Sequence, residues 1–340
     1  MNNYFKVLRP GINSTFQDLG RFGLQHLGIV ASGCMDQFLF CISNKLVNNE
    51  ISEGAIEFAY QGPLLQLVGN SALIAVSGKV NFNIIKKNGD IIKGIANESF
   101  TVSDGDKIDI LSTINSVYGY LSIKGGFKLR KIKGSYSTLV KANIGPNNGE
   151  KIKADDKIFF NKVYSSEKIK NFNVNLDEDN NIRVLKGLQI DYFSKKSQND
   201  FFSKKYKVTK LTDRMGMRLE GEKIENNINK NIKSEGITKG SIQIPGDGQP
   251  IILLSDHPTI GGYPKIANII SADYDKLVQK VPGTLIKFKL VDLSIAETAF
   301  KDYVKKFWMN FIYKLPGPLL VLTGGFCLSW GGLILRSFES

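Results

Sequence analysis

Residues 240–265 read GSIQIPGDGQPIILLSDHPTIGGYPK, two strand-like segments followed by a polar loop. Ser241 to Ile244 alternates polar and apolar side chains, which is the period of a half-buried strand. Pro245 to Gly248 combines the fixed φ of proline with the positive φ that glycine tolerates, as a tight turn requires. Ile251 to Leu254 is apolar throughout. The stretch therefore predicts a β-hairpin whose second strand is buried.

Polar and glycine residues crowd the loop after this hairpin: Asp256, Thr259, Gly261, Gly262, Tyr263 and Lys265. Glycines let backbone N–H groups approach an anion or a carbonyl oxygen closely. Lys265 offers a positive charge to an oxyanion or phosphate, and Asp256 offers a carboxylate. Thr259 and Tyr263 have hydroxyls that suit the positioning of substrate or water. The alternative is a glycine-rich loop whose polar groups only satisfy each other.

A second charged segment, residues 212–221, reads TDRMGMRLEG. Its apolar side chains alternate, which predicts a strand with Arg214, Arg218 and Glu220 on the opposite face. A guanidinium binds a carboxylate or phosphate through a fork of N–H groups, so Arg214 is a candidate site residue. The alternative is a structural ion pair between Asp213 and Arg214 near a barrel rim.

The N-terminal region has a third polar segment, Thr15 to Gly23, which reads TFQDLGRFG. Asp18 and Arg21 are three residues apart and can pair, to brace a loop or to bind a ligand. Asp36 is the predicted N-cap of a helix over Phe38 to Val47. Asn44 is a poor helix former inside that helix, so it either reaches into a site or bonds the backbone.

Short strands with turn signals between them follow from Leu64 to Ile123, as in a barrel or sandwich. The polar stretch around 163–181 predicts a linker. Together these patterns predict a mainly β protein with minor α content and two β-barrel-like domains. The first covers residues 1–170 and the second residues 182–292, and a helical, apolar tail covers residues 293–340.

The motifs resemble the biotin-dependent carboxyltransferase family, which includes the C subunit of 5-oxoprolinase, allophanate hydrolase subunit 2 and a KipA-like regulatory branch. That family shows T-x-Q-D-x-G-R-x-G, S-G-x-M-D, N-x-L-V, D-R-M-G-x-R-L-x-G and a long G-x-I-Q pattern. This chain matches them at residues 15–23, 32–36, 44–47, 213–221 and 240–266. The resemblance covers the chain from about Phe5 to Phe300.

The resemblance implies a cyclophilin-like second domain and an ATP-dependent 5-oxoprolinase that opens 5-oxo-L-proline to L-glutamate. It also implies partner subunits of the A type and the B (allophanate hydrolase subunit 1-like) type, and ATP shared with a partner. The candidate catalytic residues are Asp213, Arg214, Asp256 and Lys265. The candidate substrate-binding residues are Thr259, Gly261, Gly262, Tyr263, Asp18, Arg21, Asp36 and Asn44.

Two other function classes stay open. One is carboxyl transfer in a urea-type carboxylase or allophanate hydrolase-like enzyme, with biotin on a partner because this chain lacks a Met-Lys-Met site. The other is a regulatory anti-inhibitor that binds a histidine-kinase inhibitor. Tyr136 and Glu150 stand where the family usually has arginines, which favours a changed or lost activity. The intact segments at 213–218 and 256–265 favour a working site.

Composition bounds the remaining possibilities. The net charge of +13 is spread along the chain without a nucleic-acid-binding motif, so nucleic acid is not an expected partner. Two histidines and three cysteines without Cys-x-x-Cys spacing predict no metal site. The cysteine usage and the absence of an N-terminal apolar region predict a cytoplasmic protein without a signal peptide.

The uncharged segment 315–335 has the length of a membrane span. Its prolines and glycines make it a poor helix, so a tail that packs on a partner is the favoured interpretation.

Overall fold

The computed structural model describes residues 3–161, 170–172, 174, 178–226 and 232–312, with side chains up to residue 305. Most of the predicted linker at 163–181 and the whole apolar segment 315–335 lie outside the described residues. No helix in the described part of the chain is long and apolar enough to cross a membrane.

The described residues of the first half form eleven strands and one α-helix. The strands are β1 (Tyr4–Arg9), β2 (Thr15–Gln17), β3 (Ala55–Ala59), β4 (Leu64–Val68), β5 (Ala72–Ser77), β6 (Val80–Ile85), β7 (Ile91–Lys93), β8 (Glu98–Val102), β9 (Lys107–Thr113), β10 (Tyr118–Ile123) and β11 (Lys157–Phe159); the helix is α1 (Gln37–Leu46). Short 3-10 turns occur at Gln25–Leu27, Val140–Ala142 and Asn147–Gly149.

These strands form a six-stranded sheet, in the order β11-β1-β4-β9-β6-β7, and a five-stranded sheet, in the order β2-β3-β10-β5-β8. Both are open, and all their pairs are antiparallel. Side chains from the two sheets share one buried cluster, which includes Phe5, Leu67 and Phe82 from the first sheet and Phe58 and Ile74 from the second. Each sheet buries its apolar face against the other, as in a sandwich.

The second half contains β12 (Asn181–Lys186), β13 (Lys205–Thr212), β14 (Gly216–Glu220), β15 (Glu235–Gly236), β16 (Ser241–Gln243), β17 (Ile251–Leu253), β18 (Ile260–Gly261), β19 (Lys265–Ile269) and β20 (Leu285–Leu290). Its helices are α2 (Lys195–Ser203), α3 (Ser271–Val278) and α4 (Leu293–Ile312), with a 3-10 turn at Ile190–Tyr192.

Seven of these strands close into a barrel in the order β12-β19-β16-β17-β14-β13-β20, and β15 pairs with β18 outside it. The prediction of a mainly β protein is confirmed. The strands of the second half form the closed barrel. The predicted hairpin is also present, because Ile242 of β16 lies opposite Ile252 of β17. Met217 and Leu219 of β14 are buried while Arg218 and Glu220 are exposed, as their alternation predicted.

The two halves share a core. The largest buried cluster joins Met35, Ala59 and Tyr118 of the first half to Met217 of the barrel and Tyr274 of α3. A continuous apolar contact of this kind holds two domains in a fixed relation. The loops of the two halves that meet beside this cluster therefore have a fixed relative position.

Gly187 allows β12 to approach β19 closely, and an added methyl group there should be destabilising. A Cβ at this position would lie 2.2 Å from the carbonyl oxygen of Lys265. Because that atom belongs to the backbone of a barrel strand, we expect Gly187→Ala to lower the free energy of unfolding by about 1–3 kcal/mol. Gly236→Ala is the matched control, since a Cβ there meets nothing within 4 Å. Urea denaturation of both variants tests this, and equal stabilities would contradict it.

Candidate functional site at the domain junction

Arg214 lies where loops from both domains meet, and only 12% of its side chain is exposed. Its Nε donates to Asp256 Oδ2 at 2.8 Å and its Nη2 donates to Asp256 Oδ1 at 3.0 Å. Its Nη1 forms an ion pair with Glu57 of β3, in the other domain. Nη2 also donates to the Gly33 carbonyl at 2.5 Å. One guanidinium therefore joins two carboxylates and a backbone carbonyl across the junction.

The backbone around Arg214 explains why it is not on the exposed face of β14 with Arg218. The amide of Asp256 donates to the Arg214 carbonyl at 2.8 Å, so the two segments continue side by side past the strand ends. The sequence grouped Arg214 with Arg218 and Glu220 on one face of a strand. Arg214 precedes β14, so the strand alternation applies to Arg218 and Glu220 and does not extend to Arg214. Ser32, which has a φ of 56°, completes the contact by donating to Asp256 Oδ1 at 2.6 Å.

The charges at the junction are balanced around Arg214. Burial by itself lowers the pKa of the guanidinium, but Asp256 and Glu57 outweigh burial and hold its pKa above the ordinary value. Glu57 also accepts from the Met35 amide at 2.7 Å and from the Tyr120 hydroxyl at 2.8 Å. With these partners the buried carboxylate keeps its hydrogen bonds inside the protein, as a buried charge requires.

Asp18 organises the loop on the N-terminal side of the junction. Its Oδ1 accepts from the hydroxyls of Ser135 at 2.6 Å and Ser137 at 2.5 Å and from the Gly20 amide at 2.8 Å, and its Oδ2 accepts from the Tyr136 amide at 2.7 Å. Asp18 thereby ties two segments together that are more than one hundred residues apart in the chain.

Arg21, three residues later, is 1% exposed. Its Nη2 donates to the carbonyl of Ser137, while its Nε and Nη1 have no hydrogen-bond partner. Among the described residues, no ion pair joins Arg21 to Asp18. Burial lowers the pKa of Arg21 below its ordinary value, although Asp18 and Asp256 act in the opposite direction.

Asp36 is the N-cap of α1, as predicted, since its Oδ1 accepts from the Leu39 amide at 2.9 Å. Its Oδ2 accepts from Gln279 Nε2 at 2.8 Å, across the domain boundary. Asp275 of α3 accepts from the amides of Gln37 at 3.1 Å and Phe38 at 3.0 Å. The first turn of α1 is therefore held by one carboxylate from each domain.

Asp275 should make stability depend on pH. Burial raises its pKa above the ordinary value of 3.8. The folded state then binds more protons than the unfolded state between 3.8 and the raised pKa, so the free energy of unfolding falls as the pH rises through this window. Asp275→Asn removes this titration and retains an acceptor for one α1 amide.

We therefore expect the stability advantage of the wild type over Asp275→Asn to be largest at the acid end of a denaturation series from about pH 4 to 7. Asp155→Asn, at a side chain that is 83% exposed, is the control and should not change the trend. An advantage that grows towards neutral pH would contradict the prediction.

Two other predicted site residues have structural contacts. Asp213 is half exposed, accepts from the amides of Met215 and Gly216, and pairs with Lys141 at 3.2 Å. The alternative of an ion pair between Asp213 and Arg214 was therefore wrong. Asn44 is fully buried, and its Nδ2 donates to the Glu53 carbonyl at 2.8 Å. It fixes the loop after α1, which is the backbone-bonding alternative.

The glycine-rich segment does not join Arg214 at the junction. Lys265 lies opposite Gln243, which lies opposite Ile251, so Lys265 is at the far end of the β16–β17 hairpin from Asp256. There its ammonium forms an ion pair with Glu235. Gly261 pairs with Glu235 in the same cluster, whereas Arg214 pairs with Asp256.

The remaining loop residues support this second cluster. Gly261 pairs with Glu235 in the β15–β18 ladder, and the Gly262 carbonyl accepts from the Ile232 amide at 2.8 Å. The Thr259 carbonyl accepts from the Ile237 amide at 3.2 Å. Tyr263 is 39% exposed.

The candidate site residues did not include Ser32, Glu57, Asp275, Gln279 and Glu235, although Ser32 lies in the matched motif at residues 32–36. Each acts by contact with a distant segment, and no local pattern reports such a contact. The positive φ of Ser32 is uncommon for a residue other than glycine and had no signal in the sequence. No group of three or more His, Cys, Asp or Glu side chains that could hold a metal ion occurs in the described ranges.

Similarity to known proteins decides the family. Residues 27–290 match the family described as carboxyltransferase domain, subdomain A and B. The matched range contains Glu57, Arg214 and Asp256. The chain belongs to this family. The resemblance inferred from the motifs is thereby confirmed.

Named relatives of this carboxyltransferase-family protein fall into two groups. The C subunit of 5-oxoprolinase from Haemophilus influenzae is 33% identical over 291 residues, which cover 85% of this chain and 92% of the relative. The corresponding C subunit from Escherichia coli K12 is 29% identical, with 89% of this chain and 96% of the relative covered. The crystal structure of the Kluyveromyces lactis urea amidolyase superposes with a TM-score of 0.81 at 30% identity, covering 94% of this chain and 20% of that protein.

Proposed function

We propose that this protein is the C subunit of an ATP-dependent 5-oxoprolinase complex that converts 5-oxo-L-proline to L-glutamate. The observation that carries this proposal is the match over nearly the whole length of two proteins that are named as 5-oxoprolinase C subunits. In the urea amidolyases the similar region makes up about a fifth of the relative or less. The proposal therefore follows the relatives whose own length is almost fully matched.

We propose that a partner subunit contributes the phosphate-binding part of the ATP site, on two observations about this chain. A helix N-terminus often binds phosphate through its free N–H groups and its dipole. In α1 this position is occupied by the carboxylates of Asp36 and Asp275, which would repel a triphosphate. The sequence also lacks the Gly-x-x-x-x-Gly-Lys-Ser/Thr phosphate loop. When bound to a partner, ATP would supply the activation that a stable lactam carbonyl needs.

In this proposal the chain itself contributes the domain junction. Arg214 fixes Glu57 and Asp256 relative to each other, and Asp18 fixes the loop that presents Arg21. A rigid arrangement of this type holds a substrate in one orientation while a partner delivers the reactive group. Arg214 is a positioning residue in this scheme, because its N–H groups already have partners inside the protein.

Co-expression with homologues of the A-type and B-type subunits tests the proposal. The purified complex should release glutamate and ADP from 5-oxo-L-proline and ATP, and omission of any one component should abolish turnover. Biotin is not expected to be required. Turnover that appears only with a biotinylated protein and a urea-type substrate would instead identify a carboxyltransferase component. A complex that forms without any turnover would favour the regulatory anti-inhibitor class.

A further inference from the structure

Arg21 is a buried cation without a direct counterion. Its side chain is 1% exposed, and its Nε and Nη1 have no acceptor. An isolated charge in a protein interior is unfavourable unless it is paired and hydrogen-bonded. Arg214, in contrast, has two carboxylates within hydrogen-bond distance. Of the two junction arginines, Arg21 is therefore the one with unsatisfied nitrogens among the described residues.

The nearby carboxylates cannot neutralise Arg21 directly, because they already have other partners. Asp18 accepts from two serine hydroxyls and two backbone amides. Asp256 accepts from Arg214 and from Ser32. These bonds hold both acids at positions where they act on Arg21 only through space.

Two more buried polar atoms without partners lie along the same stretch of backbone. They are Gln17 Oε1 and Thr138 Oγ1. Gln17 Nε2 donates to the Thr138 carbonyl at 3.0 Å, and Arg21 donates to the preceding carbonyl, that of Ser137. Gln17 and Arg21 thus both bond the backbone of residues 137–138, beside the end of β2. These groups suit a small ligand that carries both an anionic group and a hydrogen-bond donor.

We propose that Arg21 binds the carboxylate of the substrate. The assignment rests on the proposed function and names the group of 5-oxo-L-proline that this chain recognises. Charge-assisted hydrogen bonds from the free Nε and Nη1 to a carboxylate would satisfy both partners. The lactam N–H would then have the Gln17 and Thr138 oxygens as candidate acceptors.

The surface next to Arg21 favours the approach of an anion. The segment 128–133 carries four exposed basic side chains, and none of them forms an ion pair in the described part of the chain: Lys128, Arg130, Lys131 and Lys133. This segment is held against the Arg21 loop because Ser135 and Tyr136, which follow it, both bond Asp18. A concentration of positive charge raises the local concentration of anionic ligands.

The first test compares melting temperatures of the full-length chain with those of Arg21→Met, which retains the apolar stem and removes the charge. If Arg21 exists to bind a ligand, the ligand-free variant should melt at the same temperature as the wild type or above it. Addition of 5-oxo-L-proline should raise the melting temperature of the wild type and not that of the variant. A ligand-free variant that melts well below the wild type, or an equal ligand-induced rise in both, would overturn the assignment.

The second test measures steady-state kinetics of the reconstituted complex with 5-oxo-L-proline and with 2-pyrrolidinone, which has the lactam and lacks the carboxylate. We expect Arg21→Met to lower kcat/KM for 5-oxo-L-proline on the order of 10- to 100-fold, mainly through KM, and to leave the value for 2-pyrrolidinone unchanged. Arg218→Met, at a side chain that is 49% exposed, is the matched control and should change neither value.

The two proposals fail in different ways. A wild-type complex without any ATP hydrolysis that depends on 5-oxo-L-proline would contradict the proposed function. An active wild-type complex whose Arg21→Met variant retains full kcat/KM would leave the function standing and overturn only the role of Arg21. Equal losses for both substrates would also overturn it, because a structural role does not distinguish a carboxylate.

Discussion

Arg214→Ala should lower the free energy of unfolding by about 3–5 kcal/mol, since it leaves two buried carboxylates without their cation. The Glu57 side chain is 2% exposed and the Asp256 side chain is 8% exposed, so water cannot replace the guanidinium. The loss also removes the contact to the Gly33 carbonyl from the other domain. Urea denaturation, followed by far-ultraviolet circular dichroism, measures this change.

Arg218→Ala is the control for that variant. Arg218 is four residues away and 49% exposed, and its ion pair with Asp247 is 3.8 Å long. An exposed pair of this type contributes at most about 1 kcal/mol. If both variants lost the same stability, the junction would not depend on the buried ion pairs. If Arg214→Ala kept its stability and lost only turnover, Arg214 would have to contact substrate directly.

The local elements of this protein are predictable from sequence because they depend on short-range periodicity. The run of short strands predicted from Leu64 to Ile123 is present, and its first strand, β4, is Leu64–Val68. The helix predicted over Phe38 to Val47 is observed at Gln37–Leu46, and its cap is Asp36 as expected. These successes follow from the alternation of buried side chains and from a capping carboxylate, which act within a few residues.

The arrangement of the site was less predictable because its contacts join distant parts of the chain. Arg214 and Glu57 are 157 positions apart, and Asp275 caps a helix that begins 238 positions before it. The polar loop after β17 supplies candidate residues from Asp256 to Lys265. In the structure Asp256 pairs with Arg214 at the junction, and Lys265 forms a separate ion pair with Glu235.

The density of polar contacts differs between the two arginines of the junction, and this difference separates their roles. Arg214 has an internal partner on each of its nitrogen atoms, as expected of a group that holds two domains together. Among the described residues Arg21 has one hydrogen-bond partner and two unsatisfied nitrogens, as expected of a group that binds a ligand. The sequence placed Arg214 among the candidate catalytic residues and Arg21 among the candidate substrate-binding residues, and it gave no sign that Arg214 is internally paired.

Asp18→Ala should have the second-largest effect, because Asp18 positions the loop that carries Arg21. The carboxylate is 5% exposed and accepts four hydrogen bonds, so its removal leaves the Ser135 and Ser137 hydroxyls and two backbone amides without their acceptor. We expect the free energy of unfolding to fall by about 2–4 kcal/mol. Asp155→Ala, at a carboxylate that is 83% exposed, should change it by less than about 1 kcal/mol.

The activity of Asp18→Ala connects this stability change to the ligand. If Asp18 holds the Arg21 loop in place, the variant complex should lose kcat/KM for 5-oxo-L-proline even at temperatures where it is fully folded. The loss for 2-pyrrolidinone should be smaller, because that lactam lacks the carboxylate that Arg21 is proposed to bind. Equal losses for the two substrates would show that Asp18 supports the junction as a whole. A folded variant with unchanged kinetics would show that substrate binding does not depend on Asp18. Arg21 would then keep its position without the four hydrogen bonds that Asp18 accepts.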